Sequence, residues 1–453
     1  MTLSGRLARF ALALREPPAA VARAGTLHAL DALGCGLAAC ALGEGTYARA
    51  AGAGPATVLG HPDGLAPGAA ALANGTLCHA LDFDDTHPDA IAHVSAVVVP
   101  AALAAGQDAG ARGADVLAAI VAGSEAVARI GAVAVPSYMT RGFHPTSVCG
   151  IFGAVLAAAR VRGLDEVTTV NALGVAGSFA CGLFEYLADG ASTKPLHAGW
   201  AAQSGLAAVD LARAGATGPA TVLEGRFGVL PAFFGVDGEG VPALPDDGGV
   251  WETARTSYKP YPACHFIHSS LDACVALRAE HDFGAEEIEA IELLVPPPAV
   301  PLVLEPTAAK LAPRTPYDAK FSLPYSVAAM LVRGAVGVGD YTAAAIADRE
   351  VLALAARCTH AVGEFDTFPG ALPGAVTLRL RDGRVLSRTE PRERALSEPD
   401  VIEKYRANAS LALGLDEAHA LERAVLGLAE VSDLRAAFAP LGRAGLTRPA
   451  RAA

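Results

Sequence analysis

Aromatic residues make up only 6% of the 453 residues, with two Trp and three Met, which excludes a core built on large stacked rings. Charged residues are also scarce, at 18%. Basic residues are outnumbered, 35 Lys and Arg against 47 Asp and Glu, for a formal net charge of -12. That balance argues against a nucleic-acid partner, because a phosphate backbone needs a basic face. It leaves open an acidic small substrate, which needs only a local positive pocket. None of the eight cysteines (Cys35, Cys40, Cys78, Cys149, Cys181, Cys264, Cys274, Cys358) falls in a C-x-x-C pair. They read as buried thiols of a reducing compartment, not as a disulfide framework or zinc site. The first residues, MTLSGRLARFALALREPP, lack a long apolar run and a small-residue cleavage site, so no signal peptide is expected. The apolar stretch 114–135 is interrupted by Ser124, Glu125 and Arg129, which suits a buried core helix better than a membrane span. The expectation is a soluble, cytoplasmic protein with no membrane partner. No Gly-rich phosphate loop, nucleophile elbow, dinucleotide fingerprint, H-E-x-x-H or calcium loop is present.

What is abundant is Ala and Gly, in a chain 52% hydrophobic, a mix suited to closely packed helices. The length favours two domains. Helical spacing predicts helices near 20–42, 66–81, 90–106, 113–132, 145–162, 167–187 and 195–214. The tract 231–250, PAFFGVDGEGVPALPDDGGV, reads as a linker. Beyond it, AIELLVPP (290–297) reads as a strand, and AVTLRLRDGRVLSRT (375–389) as a hairpin about Asp382-Gly383. Helices are predicted at 265–280 and 322–333, with a last amphipathic helix near 418–438. The expected fold is mainly α: a large all-α domain over 1–254, completed by the C-terminal helix around 415–453, and a smaller α+β lid domain over 255–414. The last residues, RAGLTRPARAA, are expected to fray.

The segment HALDFDDTHPDA (79–90) crowds Asp82, Asp84 and Asp85 between His79 and His87. With His93 it could bind a divalent metal, form acid/base groups in which an Asp tunes a His, or merely cap a helix through Asp89. The absence of a known metal spacing weakens the first reading. Elsewhere a basic residue stands before a Pro at or near a helix start three times: His144-Pro145 and Lys194-Pro195 open helices, and Lys259-Pro260 stands just ahead of one. Free N–H groups and the helix dipole at such ends already favour an anion. The bland alternatives are a solvated Lys and a capping His. Cys264 and His268 stand four apart, on one helix face if the helix begins after Pro262. They form either a nucleophile pair or, more commonly, a buried thiol beside a core His.

Together the stretches ALANGTLCHALDFDDTH, GFHPTSVCGIFGAVLAAARVRGLD, TKPLHAGWAAQSG, YKPYPACHFIHSSLDA, PRTPYDAKFSLPYSVAAML and VIEKYRANA resemble the MmgE/PrpD family, in the family's order from about residue 70 to 410. That family includes 2-methylcitrate dehydratase, cis-aconitate decarboxylase and iminodisuccinate epimerase. The resemblance implies a helical domain plus a lid domain, a homodimer, a site in the cleft between domains, and neither metal nor organic cofactor. It places pocket residues at Asp82, Thr86, His93, His144, Lys194 and Lys259, with Cys264 a further candidate and Tyr261 and His268 as substrate-binding neighbours. One departure stands out: in the decarboxylase branch a His follows the lid-domain Lys by five positions, where this chain has Cys264.

The chemistry so implied is proton abstraction or delivery α to a carboxylate of a small di- or tricarboxylic acid. His144 or His93 would carry the proton, Lys194 and Lys259 would clamp carboxylates, Asp82 would orient a basic group and Thr86 would bind substrate. A dehydratase-type lyase is favoured over an epimerase, with a decarboxylase third. The rivals are a metal-dependent hydrolase and a non-catalytic carboxylate-binding protein.

Overall fold

The computed structural model describes residues 1–49, 53–134, 137–188, 190–368 and 370–444. The expected frayed tail lies outside them beyond residue 444. Chain packing divides the molecule into a larger unit (1–186, 192–258 and 397–453) and a smaller one (187–191 and 259–396).

The larger unit is built on helices α1 (Leu3–Ala13), α2 (Ala19–Leu42), α3 (Pro67–His79), α4 (Ser95–Ala109), α5 (Gly113–Ala134), α6 (Pro145–Val161), α7 (Glu166–Gly177) and α8 (Thr193–Arg213). Small side chains let these helices approach closely. A Cβ on Gly75 of α3 would sit 2.9 Å from the Cα of Gly199, and one on Gly199 would sit 2.3 Å from the Leu72 carbonyl oxygen. Only glycine permits this crossing, and it sets the C-terminal end of α3, with His79, against the first turn of α8, with Lys194 and His197. Two helices, α2 and α5, are long and apolar enough to span a membrane, but their apolar windows are 83% and 89% buried within the fold. In α5 the buried Arg129 pairs with Glu125 at 2.5 Å, so its charges are satisfied by protein.

Helices α2, α3 and α5 to α8 begin and end within a few residues of expectation, apart from α7, which stops at Gly177 instead of reaching 187. The helix expected from residue 90 begins only at Ser95. Asp85, not Asp89, accepts its first free donors, with the Ser95 N–H 3.1 Å from Oδ1, while Asp89 pairs with Arg255. His93 therefore lies on the approach to α4, not on it. The short hairpin β1 (Ala56–Val58) with β2 (His61–Leu65) went unpredicted because its strands carry no alternating pattern.

The smaller unit holds a four-stranded sheet, with β3 (Ile288–Val295) between β4 (Cys358–Val362), parallel to it, and β5 (Gly374–Leu380), antiparallel, which pairs in turn with β6 (Val385–Glu390). Helices α9 (His265–Glu280), α10 (Leu323–Arg333) and α11 (Arg349–Ala355) accompany the sheet, and Leu271, Leu277, Ile291, Leu293, Val376 and Leu378 share one core. Strand β3 and the β5–β6 hairpin match the sequence reading; edge strand β4 was too short to declare itself.

Instead of one helix near 418–438, the chain returns to the larger unit as α12 (Glu398–Ala409), α13 (Leu415–Leu426) and α14 (Leu434–Arg443). Gly427 ends α13, and Asp433 caps α14 by accepting from the N–H groups of Arg435 and Ala436. Helix α12, which the sequence reading put in the smaller domain, packs on α2, with Tyr405 against Gly34.

Candidate active site

The acidic segment between α3 and α4 is buried, not wet: Asp82, Asp84, Asp85, Thr86, His87 and His93 are all under 8% exposed. Buried carboxylates persist only when paired, and each here faces a basic group. Asp82, one of two non-glycine residues at positive φ (52°) among the described residues, turns its Oδ1 to within 2.6 Å of Lys194 Nζ and 3.6 Å of His93 Nε2. Asp84 accepts from His79 Nδ1 at 2.9 Å and lies 3.2 Å from His93 Nδ1. Burial alone would raise the Asp84 carboxyl, yet the flanking imidazoles hold it well below the usual carboxylate range. Asp85 faces His28 at 2.7 Å and anchors Ser95.

His93 is thus placed between two carboxylates, its N–H backbone held by Thr146 Oγ1 at 2.9 Å and its Nδ1 3.4 Å from Thr86 Oγ1. Thr86 is itself fixed by a two-way backbone bridge to Ser257. His144, the residue before α6, makes no capping bond through its side chain, against the bland expectation for it. Its ring lies 5.8 Å from that of His79 and 6.3 Å from that of His93, and its Nδ1 is 3.1 Å from His197 Nδ1. Burial, reinforced by repulsion from His197, Lys194, His79 and His93, pushes the His144 imidazole well below its ordinary value. It is a neutral ring at pH 7, able to accept a proton. His197 is likewise pushed down to about 4, by burial and then by His79 and Lys194.

His87 stands apart. Its Nδ1 accepts from the Ala90 N–H, so Nε2 carries the proton toward Glu252, 3.0 Å away. It closes the segment's own turn. The four donors His79, Asp82, Asp84 and His93 lie within 4.8 Å of one another, the one group among the described residues that could gather a cation. Both carboxylates already bear protein cations or imidazoles at bonding distance, so the donor set fits proton transfer better than metal binding.

In the smaller unit Lys259 is 2% exposed and its ammonium donates to the Ala263 carbonyl at 3.1 Å. That carbonyl also receives His268 Nε2 at 3.0 Å, and Lys320 donates to Pro262 at 3.3 Å. Cys264 is the N-cap of α9 and His265 its first residue, which matches the helix expected over 265–280. The His268 ring meets His265 at 4.7 Å. The Tyr261 hydroxyl, expected near substrate, donates to Asp272 at 2.7 Å.

Sequence reasoning passed over His197, although it stands three residues from Lys194 and shares its helix face. Lys320 offered no such signal. His79 was noted only as a neighbour of the Asp cluster, and proves to be its central partner.

The chain matches the model of the MmgE/PrpD N-terminal domain over residues 5–239 and that of the MmgE/PrpD C-terminal domain over 261–430. It is 30% identical over 400 residues to a human cis-aconitate decarboxylase, spanning 83% of this chain and 80% of that protein. A cis-aconitate decarboxylase-like protein of Aspergillus oryzae is 28% identical over 407 residues, 84% of each chain. A cis-aconitate decarboxylase of Aspergillus terreus is 31% identical over 240 residues, about half of each. With both domain models matched across nearly its whole length, the chain belongs to the MmgE/PrpD family of enzymes.

Proposed function

We propose that the chain is a lyase that transfers a proton at the carbon α to a carboxylate of a small tricarboxylic acid, with cis-aconitate or a close analogue as substrate and CO₂ as leaving group. The observation that carries this reading is the buried set His79–Asp84–His93–Asp82–Lys194, with neutral His144 beside it. The relatives' activity gives it a substrate.

In such a decarboxylation the C–CO₂⁻ bond of the CH₂ arm breaks and its electron pair forms a new C=C. The old C=C pair moves to the carbon α to a remaining carboxylate, where a proton is taken up. Charge builds on that carboxylate, and Lys194 supplies the cation that offsets it. His93, between two carboxylates, is suited to donate the proton, and Asp82 orients Lys194 and His93. His144 accepts a proton where the reaction removes one. Lys259 binds a substrate carboxylate, Thr86 and His268 contribute hydrogen bonds, and Tyr261 packs against His268.

Cys264 favours a second reading. It stands where the decarboxylase branch carries a His, and a chain without that imidazole suits dehydration, in which His144 removes the α proton and a β-hydroxyl leaves. Epimerisation, by return of the proton to the opposite face, uses the same groups. The reading includes a cytoplasmic homodimer working without metal or organic cofactor, checked by sedimentation and by dialysis against chelator. Incubation with cis-aconitate, citrate, methylcitrate, malate and iminodisuccinate, followed by proton NMR, decides among the reactions; a folded, dimeric chain that converts none of them ends the proposal.

A further inference from the structure

Behind the acidic segment lies a buried cation that the proposed chemistry does not use. Lys404, on α12, is 7% exposed in its side chain and pairs with Asp31 Oδ1 of α2 at 2.7 Å. The same ammonium donates to the Phe83 carbonyl at 2.7 Å and lies 3.8 Å from the centroid of the Phe83 ring. We propose that Lys404 is a positioning residue, which fixes Phe83 from behind so that its neighbours Asp82 and Asp84 meet Lys194, His79 and His93. The inference rests on the function proposed above.

Three features support it. Phe83 stands between the two carboxylates, so a fixed carbonyl and ring at that residue fix the direction of both. Asp82 holds a left-handed backbone, which is unfavourable for a residue with a side chain and persists only where the surroundings enforce it. The Phe83 carbonyl, part of the Phe83–Asp84 peptide, is where Lys404 holds the backbone. Finally, the lysine stands at a close helix contact. A Cβ on Gly34 of α2 would lie 3.0 Å from the ring of Tyr405, so α12 packs closely on α2 at the residue next to Lys404. Burial pushes the Asp31 carboxyl up to about 6, with Asp85 adding to the rise and Lys404 opposing it. The lysine therefore favours the ionised form of Asp31 and balances its charge. A residue from the chain's last helices thus governs a site formed from its first half.

The test uses the full chain with Lys404→Met, which keeps the aliphatic stem and removes the charge, and Lys404→Arg, which restores it. Fold is checked by melting temperature and far-UV circular dichroism. Ring nitrogen resonances of ¹⁵N-His-labelled protein, assigned through His79 and His93 substitutions, report the geometry; cis-aconitate turnover reports the consequence. The expected result for folded Lys404→Met is shifted His79 and His93 resonances, at least a tenfold loss in kcat, and KM within threefold of wild type. Lys404→Arg returns kcat to within threefold. Unshifted resonances, or an unchanged kcat, in folded Lys404→Met overturn the proposal. If Lys404→Met does not fold, Asp31→Asn is read by the same resonances, where a shift supports the proposal and no shift overturns it. Should the wild-type chain fail to convert cis-aconitate, the proposed function falls, and the imidazole spectra still decide the role of Lys404.

Discussion

Replacing Lys194 by Met, which keeps the stem and removes the ammonium, tests how the acidic cluster is held together. Lys194 and Asp82 are 5% and 1% exposed, and 2.6 Å separates Nζ from Oδ1. At an effective dielectric of about 20 their attraction is roughly 6 kcal/mol, and the cost of removing both charges from water cancels much of it. Breaking one side of such a buried pair costs about 3–5 kcal/mol, because the other charge is left uncompensated. His93 remains 3.6 Å from the same Asp82 oxygen, which places Lys194→Met near the lower end, about 3 kcal/mol. Asp82→Asn strands Lys194 in the same way and costs a similar amount. The double variant leaves neither charge stranded, so its loss falls short of the sum by about 2 kcal/mol, within the usual range for contacting groups. Urea denaturation followed by far-UV ellipticity, with all four proteins compared at equal slope, measures this. Additivity within about 0.5 kcal/mol would show that the two groups do not interact and would refute the arrangement.

Other consequences follow from individual groups. With a substrate whose α proton must be removed, as in dehydration, His144→Asn should fold normally and lose about 10²–10⁴-fold in kcat, the usual contribution of a general base; steady-state kinetics check it. His197, with its imidazole at about 4, binds fewer protons in the folded than in the unfolded chain between that value and 6.5. Stability therefore falls as pH drops through 6.5 and levels off below about 4. The loss is up to about 3 kcal/mol at 1.4 kcal/mol per pH unit before solvent screening, and it shrinks in a His197→Gln comparison by urea melts at pH 4 and pH 7. Tyr261→Phe leaves Asp272 Oδ1 without its donor, while Oδ2 keeps the Arg394 N–H, and should cost about 1–3 kcal/mol of stability with KM unchanged. A raised KM would instead put its hydroxyl at the substrate.

Much of the helical unit was legible because its helices are long and their apolar spacing is strong, and because X-Pro steps mark several starts. The start of α4 was not legible: its cap is Asp85, ten residues upstream of Ser95, while Asp89 sits where a local cap would be expected. The C-terminal helices failed for a related reason. Gly427 and Asp433 divide a stretch whose amphipathic pattern alone reads as one element. In the site, Asp82, His93, His144 and Lys194 were found by residue type and by family resemblance, and the structure brings these four together in one unit. His197 was passed over although it shares a helix face with Lys194, and the contact of Lys404 with Phe83 depends on the return of α12 to α2, which leaves no local trace.

The most direct test of proton transfer at this site is ¹H NMR of the chelator-treated chain with cis-aconitate in D₂O. The account predicts loss of CO₂ and a five-carbon unsaturated diacid carrying one deuterium on the carbon α to a carboxylate, with both signals lost in Lys194→Met. A product bearing no deuterium, activity that requires added metal, or wild-type turnover in folded Lys194→Met would contradict it.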